Sequence, residues 1–294
     1  MEHDHHHKAQ ALGDRRLGWA IAINLLLTLA QVLGGLLSGS LALIADALHN
    51  FSDAAALLIA WVARRIGRRP PDRLRTFGYR RAEVIAALVN LITLVLIGLY
   101  LIQAALWRLF EPQVIAGWTV IVVAAIALVV DVITALLTFS MSRHSLNLRA
   151  AFLHNVSDAL ASLGVILAGS LILLYGWYWS DTLLTLVIAG YVLYQAAGAL
   201  PATIHLLMSG APTHISVMDV TAAMQAVPGV RDVHHVHLWQ IDEHRNSLEA
   251  HVVIDDYGQT DKVRAEIKQG LEERFDIHHS TLEFELRPCE TPHC

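Results

Sequence analysis

Two stretches of this chain place ionisable side chains inside apolar sequence, and they do so with nearly the same words. Leu48-His49-Asn50-Phe51-Ser52-Asp53-Ala54 recurs as Leu153-His154-Asn155-Val156-Ser157-Asp158-Ala159, identical except at the middle position. A His and an Asp four residues apart stand one turn from each other on the same helix face, so each copy aims an imidazole nitrogen and a carboxylate oxygen the same way. Two such helices side by side make a cage of two nitrogen and two oxygen donors. That set suits tetrahedral Zn2+, and two carboxylates cancel its charge, so a filled site would be close to neutral inside a bilayer. The same residues could serve only as hydrogen-bonding glue between helices. Ionisable groups within a span mark ion pathways or relays by default, however, and the repetition favours the cage.

The elements that must carry these residues are membrane spans. With 55% hydrophobic and only 16% charged residues among 294, and a mean hydropathy of +0.48, the chain is an integral membrane protein rather than a soluble enzyme. Windows of about twenty apolar residues suffice to cross the hydrocarbon. They fall near 17–37, 41–62, 82–106, 117–141, 148–175 and 180–200. The connection Arg64–Arg81 holds eight arginines, and Lys8, Arg15, Arg16, Arg143 and Arg149 share its side if the spans alternate. The opposite side has only Arg108, a bias of thirteen basic residues against one that predicts cytoplasmic termini. On that topology the second span runs inward and the fifth outward, so the repeated phrase appears in opposite senses, as a midplane transport site shared by antiparallel helices requires.

Other polar residues within the spans divide into two kinds. Asn24, Gln31, Asn90, Gln103 and Tyr191 read as interhelical hydrogen-bond partners. Asp46, three residues before His49, is placed to hold that imidazole, and Asp131 needs a cavity, a proton or a partner.

Hydropathy falls after Pro201, and a polar domain follows. A helix over 216–227 stopped by Pro228-Gly229, a hairpin of strands 230–241 and 247–255 turning across 242–246, a helix over 260–275 and a strand over 280–287 give the order αββαβ. The fold class is therefore a six-helix membrane protein with a small C-terminal α+β domain, a sheet covered by two helices. Histidines crowd this domain at 234, 235, 237, 244, 251, 278 and 279. His251 shares a strand face with Glu249, and Glu283 points with Glu285, so N and O ligands can meet across the sheet or at a subunit boundary. The expected divisions are a His-rich N-terminal segment 1–16, the membrane domain 17–208, the αββαβ domain 209–288 and a Cys-containing tail 289–294. His3, His5, His6 and His7 form a tract able to capture metal, and Cys289 and Cys294 exclude a disulfide framework for the fold.

Taken with Phe77-Gly78-Tyr79-Arg80-Arg81-Ala82-Glu83 at the opening of the third span, the paired His-x3-Asp motifs, six spans and αββαβ tail resemble the cation diffusion facilitator family, in its zinc-transporting branch. The resemblance covers nearly the whole chain. It implies a homodimeric antiporter that moves Zn2+ out of the cytosol in exchange for protons, set in membrane lipid with no nucleic-acid partner, and located in a bacterial inner membrane. It projects the transport site onto His49, Asp53, His154 and Asp158, and tail metal sites onto His234, His251, Glu285 and His279. Histidine at the first position resembles zinc-preferring members. A metal site in the loop between the second and third spans is degraded here, since Arg75 and Tyr79 accompany Asp72 where metal-binding members have histidines. Ser209 stands where an acidic residue often follows the sixth span, and the His-rich loop between the fourth and fifth spans of many relatives is absent.

Three alternatives compete. A membrane metalloenzyme would want three protein ligands, an open position and a general base such as His-Glu-x2-His, which the sequence lacks. A haem-binding electron carrier could use His49 and His154 as axial ligands but has no need of an Asp one turn from each. A metal sensor that does not transport shares all of these sequence features.

Overall fold

The structure is a computed structural model that describes residues 25–142 and 146–288. The N-terminal His tract, Asn24 and the tail cysteines lie outside the described residues. The chain divides into two compact units, 1–59 with 89–198 and 60–88 with 199–294.

Six apolar helices come first: α1 (Leu25–Ser38 as described), α2 (Leu41–Gly67), α3 (Ala82–Phe110), α4 (Gly117–Ser142), α5 (Leu146–Tyr175) and α6 (Trp179–Leu207). The last five have 26 to 30 residues, which at about 1.5 Å per residue exceeds the ~30 Å hydrocarbon core. Pro201 was the expected end of the sixth span, yet α6 continues through it to Leu207. A proline removes one intrahelical donor and crowds one carbonyl, and this helix absorbs both. Close packing of α4 on α5 depends on small residues. A Cβ on Gly117 would stand 2.9 Å from the Gly169 carbonyl oxygen, so a side chain there would push the helices apart.

At one end of the first unit a single carboxylate joins three helices. Asp181, fully buried in the first turn of α6, accepts the N–H groups of Leu41 (2.8 Å) and Ala42 (3.3 Å) and the Ser40 hydroxyl. It thus caps the N-terminus of α2, where free N–H groups and the helix dipole favour an anion. Arg108, in the last turn of α3, faces the same carboxylate at 3.5 Å. Asp181→Asn leaves that guanidinium largely buried and without its counter-charge, a change that costs about 3–5 kcal/mol in comparable pairs. The expected result is a fall of several degrees in the thermal unfolding midpoint of the purified protein; an unchanged midpoint would show that the contact carries no stability.

The C-terminal elements are α7 (Val217–Gln225), β1 (Val230–Asp242), β2 (Arg245–Ile254), α8 (Thr260–Phe275) and β3 (His279–Glu285). Ser216 caps α7 by accepting the Asp219 N–H. The sheet order is β1-β2-β3, with β1 antiparallel and β3 parallel to β2, so α8 is the crossover that a parallel pair needs. The hairpin is tighter than expected. Asp242 pairs with Arg245 and its carboxylate accepts the His244 N–H, which lets the strands run into the predicted turn. Alternation along the strands separates two faces. Val233, Leu248, Ala250, Val252 and Ile254 pack with Val220, Met224, Val263, Ile267 and Leu271 of the helices, while His251, Glu283 and Glu285 belong to the other face.

Candidate metal centre

Helix α2 positions His49 and Asp53, and α5 positions His154 and Asp158. His49 Nε2 lies 3.6 Å from Asp158 Oδ1, and His154 Nε2 lies 3.1 Å from Asp53 Oδ2. The first residue of each copy therefore meets the last residue of the other, as two antiparallel helices require. Within each copy the separations are 3.7 Å for His49 to Asp53 and 3.6 Å for His154 to Asp158. A tetrahedron with metal–ligand bonds of about 2.0–2.1 Å has edges of about 3.3–3.4 Å. All four N···O separations fall close to that edge, and the four ligand atoms lie within 4.8 Å of one another. His49 and Asp158 are buried, whereas Asp53 and His154 are half-buried. Asp53 Oδ2 and Asp158 Oδ1 are buried atoms with no hydrogen-bond partner among the described residues, held instead against imidazole nitrogens. Buried carboxylate oxygens left this way are costly unless a cation or proton answers them.

Asp46 does not hold the His49 ring, contrary to expectation. Its carboxylate accepts from Gln31 Nε2 at 2.6 Å, and Gln31 Oε1 accepts from Asn50 Nδ2 at 3.1 Å. The three residues tie α1 to α2 beside the cage, and His49 Nδ1 stays without a hydrogen-bond partner among the described residues. On a helix a residue three positions back is a neighbour, but Gln31 on the facing helix offers a full amide dipole where the imidazole does not turn to meet the acid. Asp131 finds its partner in Ser162, whose hydroxyl donates to it at 2.9 Å one turn beyond Asp158 on α5. Ser162 carried no signal in the sequence, since it is one polar residue in an apolar run, and Asn50, although part of the repeated phrase, gave no sign that its partner would be Gln31.

A second cluster lies on the open face of the C-terminal sheet. His234 pairs in register with His251, and β3 brings Glu285 alongside. His251 Nδ1 lies 2.6 Å from Glu285 Oε1, His234 Nε2 lies 3.6 Å from Glu285 Oε2, and the three ligand atoms fall within 4.8 Å. Glu283 reaches His251 Nε2 at 3.6 Å from a more exposed position. The site is placed by a break in β1: the register shifts between His234 and His237, and His235 adopts φ 51°, a left-handed conformation that suits a bulge. There the His235 ring stands 5.4 Å from that of His251. His279 is not brought to this cluster. It opens β3, six residues and roughly 20 Å from Glu285 along the strand, and its ring meets Phe77 edge-on. His278 likewise turns away, to Glu272 and Asp276.

Residues 18–208 match the family model described as the cation efflux transmembrane domain, and residues 212–286 match the cytoplasmic domain of cation efflux proteins. The chain belongs to the cation efflux family. Among relatives, a cation efflux protein named zinc transporter ZitB of Pectobacterium atrosepticum is 38% identical, over 100% of this chain and 92% of that one. The metal cation efflux system protein CzcD of Cupriavidus metallidurans is 37% identical over 97% and 91%. A cadmium, cobalt and zinc/H(+)-K(+) antiporter of Bacillus subtilis is 35% identical over 87% and 83%. The solved metal-bound C-terminal domain of the CzcD transporter is 36% identical, covering 24% of this chain and 100% of that one with a TM-score of 0.23. As a cation efflux protein the chain is an integral membrane transporter and not an enzyme.

Proposed function

We propose that the chain is a proton-coupled antiporter that exports Zn2+ from the cytosol through His49, Asp53, His154 and Asp158. The observation that carries this reading is the set of four N···O separations between 3.1 and 3.7 Å, close to the edges of a zinc tetrahedron. Two nitrogens with two oxygens suit a borderline ion such as Zn2+ better than a soft or a hard one. A haem held between His49 and His154 would need its macrocycle where Asp53 and Asp158 stand.

Charge balance makes protons the exchanging ion. Once zinc leaves, two carboxylates remain in low dielectric, where an uncompensated charge costs several kcal/mol. Histidine, with an ordinary pKa of about 6.5, is the side chain able to take up a proton near neutral pH. Two imidazolium protons replace one Zn2+ without changing the charge of the cage. Zinc binding in turn requires neutral imidazoles and releases those protons. The two ions therefore occupy the site by turns.

The proposed organisation places 17–208 in a bacterial inner membrane, with 1–16, the αββαβ domain 209–288 and the tail 289–294 in the cytosol, and pairs two chains through the αββαβ domain. His234, His251 and Glu285 would hold zinc in that domain. His251→Ala is expected to lower the zinc bound per chain by about one equivalent in equilibrium dialysis, with the membrane cage still filled; unchanged stoichiometry would remove the domain site. The test of transport is metal flux in sealed vesicles read with a proton-sensitive dye. Zinc entry must be accompanied by proton exit, and competing Cd2+ should slow it less than added Zn2+ does. Zinc entry without proton movement would overturn the antiport reading.

A further inference from the structure

The end of α2 that carries arginine changes from apolar to cationic along one helical stripe. Leu57, Trp61 and Arg65 are spaced four apart and all exposed, and the Arg65 guanidinium lies 5.8 Å from the Trp61 ring centre. The helix ends at Gly67, but the Arg68 N–H still donates to the Arg64 carbonyl (3.2 Å) and Arg69 to Ile66 (3.0 Å), so the stripe extends past the terminus.

The eight arginines of this region fall into two groups. Four are engaged within the protein: Arg64 faces Glu83 at 3.9 Å, Arg75 donates to the Tyr79 hydroxyl at 3.4 Å, Arg80 pairs with Asp242 at 3.5 Å and Arg81 donates to Ser209 at 2.9 Å. The others, Arg65, Arg68, Arg69 and Arg73, are exposed and form no ion pair among the described residues. Arg65 lies in the last turn of α2, and Arg68, Arg69 and Arg73 lie on the loop that follows. Asp72 Oδ1 accepts the N–H groups of Leu74 and Arg75 at 2.8 and 2.7 Å, and its other oxygen accepts the Tyr79 hydroxyl. The Tyr79 bond and then these N–H groups hold the Asp72 carboxyl below the usual range, so it stays an acceptor well below neutral pH. Guanidinium groups of Arg69 and Arg75 lie over the Tyr79 ring, at 5.9 and 4.8 Å.

An exposed tryptophan with arginine one turn beyond it marks the headgroup layer, where an aromatic ring sits at the interface and cations face phosphate. Guanidinium is the cation whose planar fork fits a phosphate group with two parallel hydrogen bonds. We propose that Arg65, Arg68, Arg69 and Arg73 form a binding site for the phosphate groups of anionic phospholipids. Continuity with Trp61 and Leu57 selects a lipid over a soluble polyanion, which would have no use for the apolar half of the stripe. Because α2 also carries His49 and Asp53, lipid held here anchors the helix of the transport cage.

The test uses the full-length protein in nanodiscs of phosphatidylcholine alone or mixed with phosphatidylglycerol, with retained lipid read by native mass spectrometry. The wild type should keep phosphatidylglycerol in preference, more weakly as salt rises. Replacing all four arginines with glutamine should abolish the preference, each guanidinium contributing about fivefold. The corresponding four-lysine variant keeps the charge but loses the fork, so it should hold phosphatidylglycerol more weakly than the wild type does. Should the glutamine variant fail to fold, the wild type and the lysine variant still decide. Equal retention of both lipids by the wild type overturns the site, as does an undiminished preference in a folded glutamine variant. Displacement of phosphatidylglycerol by inorganic phosphate at modest excess would also overturn it, by reducing the site to a free-anion site.

Discussion

Asp53→Ala is expected to reduce zinc flux in proteoliposomes to background. Asp53 Oδ2 stands 3.7 Å from His49 and 3.1 Å from His154, so its loss opens two of the four N···O edges of the cage at once. It also removes one of two negative charges, leaving bound Zn2+ with an uncompensated charge in the bilayer, where such charge is expensive. Changes one shell further out already cost 10–100-fold in metal affinity, so loss of a ligand here should cost at least about a hundredfold. His154→Ala should act alike. The side chains of Asp53 and His154 are 31% and 39% exposed, so neither substitution should remove much packing, and expression and unfolding midpoint should stay near wild type. Flux that persists in either variant would take the cage out of the mechanism.

The second large effect is on pH. Each proton displaced when zinc binds makes the apparent dissociation constant rise about tenfold per pH unit on the acid side of the imidazole range. With His49 and His154 both required neutral, the slope should approach two protons per zinc where the imidazoles are protonated in the empty site and flatten at higher pH. Binding measured by calorimetry in buffers of different ionisation enthalpy reports the same number as released protons. Collapsing the proton gradient across everted vesicles should stop zinc accumulation. A dissociation constant that does not vary between neutral and mildly acidic pH would refute the coupling even if the flux itself is real.

The cluster of His49, Asp53, His154 and Asp158 was legible because the sequence wrote it twice. A His-x3-Asp phrase fixes its own face on any helix, and repetition in two spans leaves only their proximity to be settled, which the antiparallel contacts of α2 and α5 supply. The strands and helices of the C-terminal domain were equally readable, since Leu282 and Phe284 alternate with Glu283 and Glu285 as a half-buried strand must. Contacts between distant, singly occurring polar residues were not. Asp181 reads as an acid favouring the dipole of its own helix, and nothing local says that it caps α2, 140 residues earlier. Sequence proximity places Asp46 to hold His49, whereas the partner it takes, Gln31, is on α1. His279 lies apart from the His234–His251–Glu285 cluster for a related reason: sharing a strand with Glu285 does not bring the two near, and the strand carries them apart.

Strand β1 has thirteen residues and borders the sheet on one side, with its register interrupted between Val230 and Asp232, between His234 and His237, and between Gln240 and Asp242. A long, regular border of this kind would be a template on which further chains could add without end. Three dislocations rotate its free amide and carbonyl groups out of line, so no incoming strand can zip along it.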